Sequence, residues 1–264
     1  MSRLPERLAA NVAWLFTEHP WADRFAASRE AGFAAVEFPW PDDPEATADA
    51  VADAGLRVAL VNAPAGDLAA GERGWPNDPA RADDWRDAFE AAIVLAVRVG
   101  CPTINVLAGN RIAGTGDDEQ HACLEENLRW ALPRAAEAGV TLVTEILNVH
   151  ENPAYLLTSL DEADWLLDRL APLGFKLQLD TWHLGLAEDD VPSAIRRVGN
   201  RIGHVQVADV PGRHEPGTGS VDWRAVRAEL AAANYGGAIG LEYRPREATL
   251  AGLADLPGLL IGPN

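Results

Sequence analysis

The feature that most limits the fold of this sequence is a repeated alternation of two kinds of segment. Short apolar segments, often β-branched as in strands, alternate with longer segments of helical periodicity. Strands that alternate with helices form a parallel sheet with the helices packed outside it. Eight segments are predicted to be strands: Ala9–Phe16, Ala34–Phe38, Leu56–Val61, Thr103–Leu107, Thr141–Ile146, Phe175–Asp180, Ile202–Ala208 and Ala238–Tyr243.

Helix start signals fall between these strands. Asp43 and Asp78 each precede a proline, the pattern of an N-cap followed by Pro at the first helical position. Ser159 and Glu162 have the spacing of a capping box. The segment Arg81–Val99 carries apolar residues at three- and four-residue steps and is predicted to be a helix.

Chain length favours closing these units into a barrel. The repeat averages about 34 residues between the second and eighth strands, the size of a βαβ unit. We therefore expect a single (β/α)8 TIM barrel, an α/β fold, with residues 1–264 as one catalytic domain. The alternative is a doubly wound open sheet. That fold usually has a glycine-rich first turn, and residues 16–20 contain no glycine.

Charge and cysteine content exclude several classes of protein. The chain has 22 basic and 40 acidic residues, a formal charge of −18, which disfavours nucleic acids and anionic membranes as partners. Cys101 and Cys123 cannot form a disulfide scaffold, and no signal peptide or membrane-length apolar run is visible. We expect a cytoplasmic protein, and the sequence leaves a homo-oligomer open.

Four predicted strands end in, or carry near their end, a side chain with a ligating oxygen. These are Glu145, Asp180, Gln206 and Glu242, spaced 35, 26 and 36 residues apart, about one barrel unit each. Carboxyl ends of parallel barrel strands meet at one face, so we expect the four side chains to converge. An oxygen-only set suits Mg²⁺ or Mn²⁺ better than Zn²⁺. The sequence therefore predicts a divalent metal site.

Other polar residues cluster near these positions. His183 follows Asp180 by three residues and is predicted to contact substrate. The Gly- and Pro-rich loop after the seventh strand presents Arg213 and His214, and Arg213 is the candidate for binding a substrate carboxylate. Glu151 follows the fifth strand and is a candidate for binding a substrate hydroxyl.

Several stretches resemble a known family. They are residues 10–11, 15–18, 35–38, 62–67, 105–109, 203–219 (GHVQVADVPGRHEPGTG, the most specific) and 240–243 (GLEY). Through them the chain resembles the hydroxypyruvate isomerase family, within the xylose isomerase-like TIM barrel superfamily. The resemblance runs nearly end to end.

The resemblance implies a function and roles for the site residues. It implies a metal held by the four oxygen ligands named above, with Glu145 and Glu242 as the acid/base pair and His183 and Arg213 near the substrate. The expected reaction interconverts hydroxypyruvate and tartronate semialdehyde through an enediolate, with glutamates moving the proton. The expected substrate is thus a small hydroxy or oxo acid.

The chain departs from the family pattern after the fifth strand. The family usually has Glu-Pro-Ile-Asn where this chain has residues 145–148 as Glu-Ile-Leu-Asn, and residues 149–152 lack the usual Arg-Asp pair. A 2-oxo-tetronate or other small sugar-acid isomerase is therefore an alternative. A ketose 3-epimerase is another, although it more often has His where Gln206 stands. A zinc endonuclease would be richer in histidine than this chain, and a non-catalytic sugar-acid binder would not need the four ligands.

Overall fold

The eight-stranded barrel predicted from the sequence is confirmed. A computed structural model describes residues 4–187, 190–254 and 256–262. Eight parallel strands pair in chain order, and the first pairs with the eighth, which closes the sheet. The strands are β1 (Leu8–Asn11), β2 (Ala35–Phe38), β3 (Arg57–Asn62), β4 (Thr103–Asn105), β5 (Thr141–Glu145), β6 (Lys176–Asp180), β7 (Ile202–Val207) and β8 (Ile239–Leu241).

Helices connect the strands and cover the outside of the barrel. They are α1 (Asp23–Glu30), α2 (Pro44–Ala54), α3 (Ala82–Val99), α4 (Asp117–Glu137), α5 (Leu160–Leu170), α6 (Thr181–Ala187), α7 (Val191–Val198), α8 (Trp223–Ala232) and α9 (Leu256–Leu260). Short 3₁₀ turns span Pro79–Arg81, Ala171–Leu173, Gly199–Arg201 and Thr249–Gly252. None of these helices combines the length and apolar character needed to cross a membrane, within the part of the chain described.

The predicted helix caps form. Asp43 accepts a hydrogen bond from the Ala46 amide at 3.0 Å. The Ser159 side chain and Glu162 form the reciprocal bonds of a capping box at the start of α5. Asp78 caps the 3₁₀ turn Pro79–Arg81, so α3 begins one residue later than the predicted Arg81.

The first strand is shorter than predicted. It ends at Asn11, because the amides of Trp14 and Leu15 donate to the Asn11 carbonyl and turn the chain. Phe16 then has a φ of 59°, which extended backbone does not allow. Strands β4, β5, β7 and β8 also end one or two residues earlier than predicted. The apolar residues that follow are buried in loops, so apolar character alone did not mark the strand ends.

The barrel interior is polar near its carboxyl end. Asn11, Glu37, Asn105, Gln178 and Gln206 are all at most 3% exposed. Since buried polar groups are costly unless they are hydrogen-bonded, this layer is stable only as a network. Register pairs Asn11 with Glu37 across β1 and β2, and Gln206 with Asp180 across β6 and β7. The network supports the side chains above it.

Candidate active site

A cavity of about 450 Å³ lies at the carboxyl ends of the strands, where TIM barrels hold their chemistry. Five residues singled out from the sequence line it: Glu145, Glu151, His183, Arg213 and Glu242. The ends of β1 and β3 and the loops after β1, β3 and β5 contribute further lining side chains, among them Asn11, Trp14, Asn62, Leu68, Arg73, Leu147 and Asn152.

The other two predicted metal ligands are buried beside this cavity. Asp180 is 1% exposed, and its Oδ2 accepts a hydrogen bond from Arg213 Nη2 at 3.2 Å. Gln206 belongs to the interior network. Its Nε2 donates to Glu37 Oε1 at 2.7 Å, and its Oε1 accepts from Gln178 Nε2 at 2.6 Å. The two predicted ligands, Asp180 and Gln206, are opposite each other across β6 and β7 but have different hydrogen-bond partners.

His214 is not among the residues that line the cavity. Its Nδ1 lies 2.8 Å from the Arg244 carbonyl oxygen, and the side chain is half-buried. Its expected contact with substrate stays a prediction. Glu151 lines the cavity, and its amide is held by Asn148 Oδ1 at 3.1 Å.

Arg213 is held by contacts on several sides. Its guanidinium carbon lies 4.3 Å from the ring centre of Trp14 and 4.5 Å from that of Trp182. Its Nη2 donates to Glu242 Oε2 at 2.9 Å as well as to Asp180. The residue has a φ of 54°, a left-handed backbone conformation that residues other than glycine rarely adopt. Such backbone strain is typical of positions held by their surroundings for function.

Three carboxylates, two of them buried and that of Glu242 half-buried, share this region with one guanidinium. Burial, and then the charge of Asp180, raise the pKa of Glu145 to about 7, while a hydrogen bond from Asn105 opposes the rise. Burial also raises the pKa of Glu242 well above its usual value, although Arg213 acts against it. Both glutamates therefore hold protons more tightly than exposed glutamates do.

His183 is a neutral hydrogen-bond donor toward the cavity. The Asn148 backbone amide can only donate, and it lies 3.0 Å from His183 Nδ1, so Nδ1 accepts and the ring proton sits on Nε2. Burial lowers the pKa of His183 to about 4, against the influence of Asp180. The Nε2 atom of His183 lies 3.8 Å from Asp180 Oδ2.

The donor set fits a hard divalent cation by its chemistry. Glu145, Asp180 and Glu242 supply carboxylate oxygens and Gln206 an amide oxygen, with no sulfur or nitrogen ligand. Burial is the first cause of the raised pKa of both glutamates, and repulsion from the Asp180 carboxylate adds to it. A cation would relieve that repulsion.

Arg213 places its positive charge between the carboxylates of Asp180 and Glu242. Its Nη2 lies between Asp180 and Glu242, and no three described His, Cys, Asp or Glu side chains are arranged around a common point as ion ligands. Two buried amide oxygens, Asn105 Oδ1 and Gln178 Oε1, have no hydrogen-bond partner among the described atoms. Those oxygens are further acceptors next to the carboxylates.

Several residues of the site did not stand out in the sequence. Glu37 accepts hydrogen bonds from Asn11 and Gln206 inside the barrel, and Asn148 fixes the His183 ring. Arg73 lies in the long segment after β3, which has no periodicity to mark it. The available clue for Asn148 was its position shortly after the end of β5.

Comparison with known proteins identifies the family. The family model of the xylose isomerase-like TIM barrel matches residues 25–256. The chain belongs to this family. It is 39% identical over 252 residues to the 2-oxo-tetronate isomerase of Cupriavidus necator, covering 95% of this chain and 97% of the relative. It is 36% identical over 249 residues to the hydroxypyruvate isomerase of Escherichia coli, covering 94% and 96%.

A solved structure has the same architecture over nearly the whole chain. The crystal structure of an AP endonuclease, family 2, from Brucella melitensis matches with a TM-score of 0.89 and 33% identity, covering 96% of this chain and 98% of that one. The curated relatives above are both named isomerases. This family member is accordingly an enzyme of the isomerase class.

Proposed function

We propose that this protein moves a carbonyl between adjacent carbons of a small oxo acid, with hydroxypyruvate and tartronate semialdehyde as the first candidate pair. The observation that carries the proposal is that Glu145, which is buried, and Glu242, which is half-buried, line one cavity as carboxylates of raised pKa. The names of the two curated relatives support the same class of reaction.

Glu145 and Glu242 transfer the proton in this reaction. The hard step is removal of a proton from a carbon next to a carbonyl, which needs a base placed against that carbon. A glutamate whose pKa is raised toward 7 is a better base than an exposed one and still gives the proton back at neutral pH. One of the pair removes the proton, leaving an enediolate, and the same or the opposite glutamate returns it to the neighbouring carbon.

The neighbouring side chains orient the substrate and the glutamates. His183 Nε2–H donates to a substrate oxygen, since the ring is neutral and its other nitrogen is occupied by Asn148. Arg213 holds the Glu242 carboxylate by its hydrogen bond. Glu151 binds a substrate hydroxyl at the rim of the cavity.

The residues that would hold Mg²⁺ or Mn²⁺ are Glu145, Asp180, Gln206 and Glu242. When bound, such an ion polarises the substrate carbonyl and stabilises the negative charge that develops as the proton leaves. Asp180 is hydrogen-bonded to the Trp182 amide and to Arg213, so its carboxylate is fixed in orientation and takes no part in the proton transfer.

A second candidate substrate is 2-oxo-tetronate. It is favoured by the Cupriavidus necator relative and by the loop at residues 149–152, which departs from the hydroxypyruvate isomerase pattern and contributes Glu151 and Asn152 to the cavity. A zinc nuclease is not supported, because His183 is the one histidine among the described lining residues.

The test is an isomerisation assay of the protein stripped of metal with EDTA and then supplied with Mg²⁺ or Mn²⁺. Hydroxypyruvate and 2-oxo-tetronate are assayed side by side. Metal-dependent turnover of hydroxypyruvate supports the reaction and the ligand set. Turnover of the four-carbon acid alone keeps the chemistry and moves the substrate. Turnover of neither acid by folded, metal-supplied protein overturns the proposal.

A further inference from the structure

Arg73 and Arg213 are the two cations that the described residues contribute to the cavity lining. Arg213 already faces two carboxylates. Its Nη2 is shared between Asp180 and Glu242, and the aromatic rings of two tryptophans cover its planar faces. Most of its charge is therefore balanced by the protein itself.

Arg73 is held in place without being neutralised. Its Nε donates to Asn152 Oδ1 at 2.8 Å, and its Nη1 donates to the Glu72 and Leu68 carbonyl oxygens at 2.7 and 3.1 Å. All three acceptors are neutral. Within residues 4–187, 190–254 and 256–262, Arg73 has no carboxylate within ion-pair distance and its Nη2 has no hydrogen-bond partner.

The charge of Arg73 is directed at the cavity. The side chain is half-buried and contributes to the lowered pKa of His183 on the β6 side. Three hydrogen bonds fix the plane of its guanidinium before any ligand arrives, so an incoming anion does not have to order it. The two N–H groups of Nη2 remain to donate charge-assisted hydrogen bonds to a carboxylate.

We propose that Arg73 binds the carboxylate of the substrate and thereby makes the enzyme select oxo acids over neutral sugars. The inference rests on the proposed function and assigns to Arg73 the role that the sequence suggested for Arg213. Arg73 lies against the loop after β5, through its hydrogen bond to Asn152, and lines the cavity together with both glutamates. A small acid anchored at Arg73 then extends toward Glu145 and Glu242, which line the same cavity.

The experiment compares an acid with its neutral counterpart. Dihydroxyacetone is hydroxypyruvate with a hydroxymethyl group in place of the carboxylate, so the ratio of the two kcat/KM values isolates recognition of the charge. We expect Arg73→Met to lower this ratio about tenfold to a hundredfold, mainly through KM for the acid. Arg73→Lys should recover part of the loss.

Arg81→Met is the matched control. Arg81 lies at the end of the same segment, packs 4.3 Å from the Trp75 ring centre, and does not line the cavity. The variant makes the same change in net charge and should leave the ratio unchanged. A ratio that stays constant in Arg73→Met and falls in Arg213→Met overturns the proposal in favour of Arg213.

A binding measurement separates this inference from the proposed reaction. If the wild-type protein isomerises neither compound, hydroxypyruvate binding is measured by ligand-observed NMR in the same variants. Loss of binding in Arg73→Met with retention in Arg81→Met supports the carboxylate site although the reaction assignment has failed. Equal binding in both variants, or none by the wild type, overturns the site.

Discussion

Gln206 illustrates how a single side chain depends on a buried neighbour. Its amide is fixed at both ends, because Glu37 Oε1 accepts from the nitrogen and the oxygen accepts from Gln178 Nε2. Glu37 is itself held by Asn11 and lies 2.7 Å from His204 Nε2. Gly240 leaves the necessary room, because a Cβ there would lie 2.2 Å from Glu37 Oε2.

This dependence predicts the effect of changing Glu37. Glu37→Met removes the acceptor for the Gln206 amide, and we expect Mg²⁺ affinity to fall about 10- to 100-fold, as is typical when a residue that orients a ligand is lost. Glu37→Gln keeps an acceptor oxygen and should lose much less. Isothermal titration of metal-stripped protein measures both affinities. Equal affinity for Mg²⁺ in Glu37→Met and the wild type would show that Glu37 does not orient Gln206.

Single residues also show where sequence reasoning succeeds and where it stops. The placement of Glu145, Asp180, Gln206 and Glu242 at one end of the barrel could be predicted, because each lies at or near the end of an apolar strand at barrel spacing. Their roles as metal ligands or proton carriers stay predictions. The placement of Arg73 could not be predicted, since its contact with Asn152 joins two loops 79 residues apart and leaves no local pattern.

At the scale of elements, the loop after β7 positions Arg213. Asp209 organises this loop with both carboxylate oxygens. Its Oδ1 accepts from the Val210 and Val221 amides at 2.9 and 3.1 Å, and its Oδ2 accepts from the Gly217 amide at 2.7 Å and from an indole N–H. Gly219 packs so closely that a Cβ would lie 2.1 Å from the Val210 carbonyl oxygen.

Asp209→Asn should therefore loosen the loop. An asparagine has one acceptor oxygen and would turn an NH₂ group toward N–H donors, which we expect to cost about 2 kcal/mol, or about 4 °C in Tm. The kcat/KM should also fall because Arg213 is no longer fixed. Asp222→Asn is the control: it makes the same charge change in the N-cap of α8, where asparagine is as good as aspartate. Identical melting and kinetics for the two variants would argue against this role for Asp209.

Element boundaries were less predictable than element identity. The capping box at Ser159 depends on residues three apart and forms as predicted. The end of β1 depends on a turn around Asn11 that buries apolar residues as a strand would, so the apolar pattern overran it by five residues.

At the scale of the whole molecule, closing the barrel brings together acidic side chains of β5, of β6 and of the residue after β8. That arrangement supplies the carboxylates proposed for catalysis, and it lowers the stability of the metal-free folded protein. A carboxyl whose pKa is higher in the folded than in the unfolded protein loses a stabilising proton as pH rises from about 4.5 through the folded value, near 7 for Glu145. Stability of the metal-free protein should fall over that range.

The expected result is a Tm in EDTA that decreases from pH 6 to pH 8, with a larger gain from added Mg²⁺ at pH 8. Glu145→Gln removes one titrating group, so its Tm in EDTA should depend less on pH and exceed that of the wild type at pH 8. Differential scanning calorimetry measures both trends. A wild-type Tm that rises from pH 6 to pH 8 in EDTA would contradict the charge balance described for the site.

Proton transfer by Glu145 and Glu242 is tested by isomerisation of hydroxypyruvate and 2-oxo-tetronate in D₂O, followed by proton NMR. The metal-supplied wild type should convert one of the acids and introduce deuterium at carbon. Glu145→Gln and Glu242→Gln should each be slower by about 10²- to 10⁴-fold while keeping the wild-type circular dichroism spectrum. Near-wild-type turnover by either variant would contradict the account.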